Sequence, residues 1–300
     1  MNVWRINLKP GSSSGIDPRK LCLTKGIVGI GWQIDYTKEP IDWETYKNEA
    51  TKIYYDKGDK SWWPAINAIH NRMKLNDLIW TRDWQGIYYV GRVTSDWYYD
   101  TSNDCEQADM VNVRKCDWQK VGTIEAVPGK IVNSFIPART VQRVTGKTID
   151  IFSKYIYNKI SERPFYQIRI AENSNIFSLL SSDDCEDILG LYLQLNKNYM
   201  IVPSSCKSDT MNYEYELIDR ANGQKAVVQV KNGDVNLNTK DYSDIDSKIY
   251  LFTTKGRYIG KLTENIEFME SDKMEEFVFE MTDLMPQKIK NWIEIYTELK

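Results

Sequence analysis

Residues 213–231, YEYELIDRANGQKAVVQVK, leave the backbone few choices. Two short runs of alternating residues flank Asn222-Gly223, a pair suited to a two-residue type I′ turn because both residues accept positive φ. The segment is therefore expected to fold as a β-hairpin. Side chains alternate with period two along a strand, so Glu214 and Glu216 share one face of the first strand. Gln229 and Lys231 share one face of the second, while Val228 and Val230 point the other way. A carboxylate and a Gln-x-Lys brought together by a hairpin are parts of a metal-dependent phosphodiester-hydrolysing site. The carboxylate binds Mg²⁺ and the lysine orients or activates the attacking water.

Other chemistries are excluded by scarcity. The chain of 300 residues has one histidine, His70. One imidazole cannot build a three-histidine zinc site, an H-E-x-x-H protease or a histidine-centred ββα nuclease. His70 lies in WWPAINAIHNRM, read as a short amphipathic helix with the ring at its boundary. Cys22, Cys105, Cys116, Cys185 and Cys206 are widely spaced and odd in number. They support neither a zinc site nor a disulfide framework, and reduced thiols in the cytoplasm are expected. No apolar run approaches the roughly 18–20 residues that span a bilayer. The start, MNVWRINLKPG, lacks the apolar region of a secretory signal.

Charge is unevenly distributed around a net of −3. Residues 110–170 hold 11 basic and 4 acidic side chains, a net of +7, whereas residues 171–300 hold 14 and 23, a net of −9. A basic band followed by an acidic part fits a phosphate-tracking surface paired with a carboxylate–metal site.

The chain reads as two domains. In residues 1–145, VWRINLKPG, GIVGIGWQI, DLIWTRD, GIYYVGRVTSDWYYD, ADMVNVRKCDWQKVG and AVPGKIVNSF are expected as strands. Gln85-Gly86 marks a hairpin turn, and helices lie over IDWETYKNEATKIYYDKG and SWWPAINAIHNRMKL. Such strands suggest a compact small β-barrel with helices. Gly11-Ser-Ser-Ser-Gly15 lacks the lysine of a P-loop and is expected to be a plain loop; Gly29-x-Gly31 lacks the rest of a dinucleotide fingerprint. Residues 146–175 are expected to form a connector containing a helix. In residues 176–300, SSDDCEDILGLYLQLN opens with Ser182 and Asp183 as N-cap candidates, with Glu186 three residues after Asp183. The strands NYMIVPS, the hairpin, KIYLFTT and RYIGKL follow. Pro286 starts a last helix whose apolar stripe is Ile289, Trp292, Ile293 and Tyr296. The class is α+β to α/β, and the second domain is an α/β sandwich.

The run DCEDILGLYLQ…YMIVPSSCKSDTMNYEYELID…GQKAVVQVKNG, about residues 178–235, resembles the PD-(D/E)xK nuclease superfamily. It is most similar to restriction-endonuclease-like domains of the Mrr type, which often carry Gln-x-Lys. The resemblance implies Glu186 as the helix acid, Glu214 as the strand acid, and Gln229 and Lys231 as the terminal pair. Glu214, Gln229 and the Val230 carbonyl are the implied ligands of Mg²⁺, with Mn²⁺ as a substitute. The usual strand aspartate is replaced here, leaving Glu214, Glu216 and Asp209 as candidates. Alternatively, Glu186 is a capping residue, and Glu214 with Lys231 an exposed cross-strand ion pair.

Residues 1–145 resemble, more loosely, PUA-like domains of the EVE and modified-base-reader kind, through VWRINLKPG, VGIGW, DLIWTRDWQGIYYVGRV and WQKVGTIEAVPGKIVNSF. Such barrels hold a flipped or modified base in an aromatic pocket. Trp32, Trp84 and Trp97 are the pocket candidates, and Arg82, Arg92 and Arg114 the candidate phosphate contacts; any single tryptophan in a small barrel is more often core. Together the two resemblances imply a modification-dependent restriction or anti-phage endonuclease whose partner is DNA. One site cuts one strand, so a double-strand break calls for a homodimer or two binding events.

Overall fold

The computed structural model describes residues 1–8, 15–36, 39–137, 139–170, 174–207 and 213–300. It divides into two compact units, Met1–Arg169 and Ile170–Lys300. No helix among the described residues is long and apolar enough to cross a membrane.

The first unit is built on strands β1 (Val3–Ile6), β2 (Ile27–Ile30), β3 (Leu78–Arg82), β4 (Tyr88–Val93), β5 (Tyr98–Tyr99), β6 (Asn112–Gly122) and β7 (Val141–Arg143). They run in the order β2-β6-β4-β3-β1-β7, with β5 also on β6. The long β6 makes the sheet curl. Its first residues, Asn112–Lys115, pair with β2, and Cys116 onward pairs with β4. One strand thus turns a corner between two flatter parts, producing a curled half-barrel with helices around it. Its concave core collects Trp4, Ile6, Val28, Ile30, Tyr46, Trp62, Ile66, Ile69, Ile79 and Val113.

Helices α1 (Pro18–Lys25), α2 (Trp43–Ala50), α3 (Trp62–Asn67), α4 (Asn103–Gln107), α5 (Gly129–Asn133) and α6 (Lys147–Ser161) complete this unit. Two elements differ from expectation. The segment AVPGKIVNSF is not a strand: Pro128 opens the short helix α5, which buries Ile131. The helix expected in a connector is α6, which belongs to the first unit. Trp80 Nε1 donates to Ser153 Oγ of α6 (3.0 Å), and Trp80 and Phe152 stack. An amphipathic helix with Ile149, Phe152 and Tyr155 buried finds its apolar partner in the sheet, and so it packs there.

The second unit has a mixed sheet in the order β14-β12-β10-β9-β8. Its strands are β8 (Tyr199–Ile201), β9 (Tyr215–Asp219), β10 (Lys225–Lys231), β12 (Lys248–Thr253) and β14 (Ile266–Met269); β11 (Leu237–Asn238) and β13 (Tyr258–Ile259) form a separate small sheet. RYIGKL therefore does not join the main sheet, and its place is taken by β14, parallel to β12. Helix α7 (Ser182–Asn196) is tied to one face through Tyr215, whose hydroxyl donates to the Glu186 carbonyl (2.9 Å). The opposite face carries Val227, Ile249, Leu251 and Ile266, packed with Leu237 and Tyr242. Helices α8 (Ser271–Glu280) and α9 (Gln287–Leu299) follow, with Ile289, Trp292, Ile293 and Tyr296 buried along α9 as its stripe predicts.

The hairpin forms, but with a five-residue loop, 220–224, instead of a two-residue turn. The Gly223 N–H donates to the Asp219 carbonyl (2.8 Å), and Gly223 alone takes a positive φ of 75°. Asn222 uses its side chain to accept the Gln224 N–H (2.8 Å), and Asp219 likewise accepts the Ala221 N–H. Local side-chain-to-backbone bonding outcompetes the tighter turn.

Candidate functional site

Glu214 precedes β9 by one residue, and its N–H donates to the Val228 carbonyl (2.7 Å). Tyr215 pairs with Val228 and Glu216 with Val227, so Glu214, just before β9, lies beside the end of this pairing, next to Gln229. Alternation places Glu216, Val227, Gln229 and Lys231 on one face, and the contact with Gln229 brings the Glu214 carboxylate to it. Gln229, buried, donates from Nε2 to Glu214 Oε1 and to the Val230 carbonyl (3.2 Å). Lys231 Nζ lies 3.5 Å from the same Glu214 oxygen. One carboxylate oxygen is therefore shared by an amide and an ammonium.

Glu186 sits in the first turns of α7 and is not a cap. The helix is capped one residue earlier than expected. Ser181 accepts the Asp184 N–H, and Asp184 Oδ2 accepts the Ser181 N–H (2.9 Å), a full capping box. Serine at this position has the extended backbone a cap requires, which Ser182, already helical, lacks. Asp184 and Asp187 are further held by Lys288 at 3.0 and 2.7 Å. Among the described residues the Glu186 carboxyl has no ion-pair partner. Burial, then the nearby Glu214, pushes it up to about 7, with Asp183 and Asp187 adding to the rise and Lys231 opposing it.

The donor chemistry suits a hard cation. Glu214 Oε1 and the Val230 carbonyl, both oxygens, converge on one donor, the amide nitrogen of Gln229. Glu186 supplies a second carboxyl whose repulsion with Glu214 a cation would relieve. Mg²⁺ commonly takes one or two carboxylates and keeps several waters. Among the described residues no group of three histidine, cysteine, aspartate or glutamate side chains is arranged to hold a metal. The other acids considered for the strand are placed differently. Glu216 is paired with Lys225 (2.6 Å) and accepts from the Tyr213 hydroxyl (2.7 Å). Asp209 lies outside the described residues, as do Gly11–Ser14 of the glycine–serine loop.

The first unit has a cavity of about 330 Å³ lined by Asn7, Gly31, Trp32, Tyr54, Asp109 and Thr140 among others. Trp32 and Asp109 both hold left-handed backbones, with φ 66° and 50°. Such strain in non-glycine residues concentrates at functional positions. Trp32 is anchored by its indole N–H on Asp59 Oδ2 (3.0 Å). The Asp109 carboxyl is raised by burial and opposed by donors from Gln33 and the Trp32 N–H. Gly31 makes this possible: a Cβ there would lie 2.3 Å from Asp109 Oδ2. The pocket offers aromatic faces and one acid, suited to a flat ligand bearing a hydrogen-bond donor. Sequence reasoning found Trp32 but missed Asp109, Tyr54 and Asn7, because only folding brings these distant positions to one wall.

The other predicted contacts separate. Trp84 is exposed, with the Arg19 guanidinium 3.8 Å above its ring, away from the cavity lining. Trp97 donates to Asn112 Oδ1 (3.2 Å) and packs edge-on against Trp43, so it belongs to the core. Arg114 is buried and is held by bonds from its N–H groups to the carbonyls of Ile69, His70 and Ser95, a structural role inside the unit. Arg92 bonds Tyr157 and Asn76 and stacks over Phe165 (4.1 Å). The Arg82 side chain lies over Phe135 and makes no hydrogen bond or ion pair among the described residues. His70 stacks on Trp43 with centroids 3.4 Å apart.

Residues 4–145 match a family model described as "Domain of unknown function (DUF8426)". No curated protein matches the chain. Among solved structures, "DNA modification-dependent restriction endonuclease AspBHI" is similar at 11% identity over 98% of this chain and 82% of that one. The TM-score is 0.22, too low for the superposition to carry an argument.

Proposed function

We propose that the chain is a metal-dependent DNA endonuclease, with the second unit, a restriction-endonuclease-like nuclease, cutting DNA that the first unit, a PUA-like reader, selects by a modified base. The observation that carries the reading is the convergence of Glu214, Gln229 and Lys231 on one carboxylate oxygen, with a half-buried Glu186 nearby. Glu214 and the Val230 carbonyl would hold Mg²⁺, with Gln229 completing the set once its amide turns its oxygen inward. When bound, the ion supplies positive charge to the scissile phosphate. Lys231 donates to the attacking water and to the developing negative charge. Glu186, titrating near neutrality, is suited to exchange a proton with that water. The raised Asp109 and the Trp32 face suit a base carrying an exocyclic amine. The biological setting of this proposal is restriction or anti-phage defence in the cytoplasm, with a homodimer or two binding events for a double-strand break.

The test is to incubate the protein with Mg²⁺ or Mn²⁺ and matched unmodified and base-modified DNA, with Lys231→Ala in parallel. Cleavage confined to modified DNA and absent from the variant is expected. Equal cleavage by the variant overturns the catalytic assignment. A second reading, a binding protein with a degenerate nuclease fold, is favoured by the lack of a three-ligand cluster among the described residues. It requires binding without cleavage under either metal.

A further inference from the structure

Arg5 is a buried cation placed among other cations. It lies in β1 opposite Trp80 of β3, so Arg82, two residues beyond Trp80, shares its face of the sheet. The Arg5 side chain is inaccessible to solvent. It donates to the Arg139 carbonyl, to Gln142 Oε1 (2.9 Å) and to the Pro137 carbonyl (3.4 Å), while its Nε has no partner among the described residues. All these partners are neutral. Arg5 and Arg82 lean on the same ring, their guanidinium carbons 5.6 and 5.1 Å from the Phe135 centroid. Burial, then Arg139 and Arg82, draws the Arg5 guanidinium down to about 10.

Asp83 and Asp17, acids near Arg19, are engaged elsewhere. Asp83 Oδ1 accepts the N–H groups of Gln85 and Ile87, and its Oδ2 accepts the Tyr89 hydroxyl. Asp17 accepts the Arg19 N–H as the cap of α1. Among the described residues, no carboxylate pairs with Arg5, Arg82 or Arg139. Burying a charge is costly without a counter-charge, and three guanidinium groups in one place are a standing demand for an anion.

We propose that Arg5, Arg82 and Arg139 form a phosphate-binding site at the rim of the Trp32–Asp109 cavity. Arg5 supplies buried charge and holds the Arg139 main chain. The half-exposed Arg82 and exposed Arg139 supply the accessible N–H donors, whose planar fork matches phosphate oxygens. The link to the cavity is direct along the chain: Arg139 precedes Thr140, and Arg5 lies two residues before Asn7. Asn7 and Thr140 both line the cavity and are joined by the Asn7 N–H to the Thr140 carbonyl (2.8 Å). A phosphate here stands beside whatever ring the cavity holds. The backbone phosphodiester flanking a bound base is the ligand this spacing suits. That identity rests on the reader function proposed above, whereas the anion site does not.

The experiment uses the full chain in EDTA, so nuclease activity plays no part, and compares wild type with Arg82→Ala/Arg139→Ala. Lys57→Ala, an exposed site elsewhere in the unit, controls for lost charge. Melting is followed with inorganic phosphate against chloride at equal ionic strength. Binding of a fluorescent modified duplex is followed across salt. Expected are a phosphate-dependent rise in melting temperature lost in the double variant, and a log K against log salt slope smaller by about two. Loss of the phosphate response with an unchanged slope keeps the anion site but assigns it to a small phosphorylated ligand. No change in either measurement, or the same per-charge change in Lys57→Ala, overturns the site.

Discussion

Gln229 and Glu214 face each other across adjacent antiparallel strands, and the buried Gln229 amide donates to the Glu214 carboxylate. Lys231, two residues along the same strand, approaches that carboxylate from outside at 3.5 Å. The two contacts have different consequences, because one is buried and the other is in contact with water.

Removing Lys231 is therefore expected to abolish chemistry and spare the fold. An ion pair exposed to this degree contributes about 1 kcal/mol or less. A group positioned at developing charge is worth about 10²–10³ in rate. Lys231→Ala should lose cleavage by at least that factor with its melting temperature nearly unchanged. Glu214→Ala should lose both, since it leaves the buried Gln229 amide with only the Val230 carbonyl to accept from it, at about 1–3 kcal/mol. Thermal melts beside single-turnover cleavage distinguish the two.

Glu186 is expected to cost stability at neutral pH. Its folded pKa, about 7, lies above the ordinary carboxylate value of 4.5. The folded state thus holds the proton more tightly, and stability declines as pH rises from about 4.5 to 7. After discounting for half-exposure, the loss is on the order of 1 kcal/mol. Glu186→Gln should melt higher than wild type at pH 8 and equally at pH 4. An equal offset at both pH values would contradict the assigned cause.

His70 should destabilise the first unit in acid. Burial against Trp43 lowers its pKa from 6.5, with Arg114 and Lys74 adding to the effect and Asn71 and Glu44 opposing it. The unfolded chain then binds the proton first, so stability falls as pH drops through about 6.5 and levels off below the folded value. Replacing the ring by a neutral one of similar shape, as in His70→Phe, should flatten melting temperature against pH over that window.

Gly31→Ala should close the first unit's cavity. The added Cβ meets the Asp109 carboxylate at 2.3 Å, far inside contact distance, so Asp109 or the Gly31–Trp32 turn must move. Binding of modified DNA should weaken at least tenfold in a gel-shift or polarisation assay, while Lys231→Ala binds as wild type. Unchanged affinity would remove Asp109 from the pocket's function.

Much of the second unit was legible because its signals are local. Period-two alternation alone put Glu214 and Gln229 on shared faces with Glu216 and Lys231, and the stripe of α9 was readable from helical spacing. Local competition was less legible. Whether Ser181 or Ser182 caps α7 depends on which residue keeps an extended backbone, and that decides whether Glu186 is a cap or a free acid. The turn was misjudged for a similar reason, since side-chain bonds from Asp219 and Asn222 stabilise a longer loop that residue preferences do not foresee.

Short-range preferences, set by backbone geometry, were enough to place most strands and helices and the face their side chains take, though not the AVPGKIVNSF segment or the membership of the main sheet. Only the tertiary structure decided which charged and aromatic groups meet. It buried Arg114, packed the half-buried Trp97 against the core, placed the Arg82 side chain over the same ring as Arg5, and brought Asp109 to Trp32. Such meetings depend on packing between segments far apart in the chain, and burial, which only packing creates, is what changes a side chain's charge and availability.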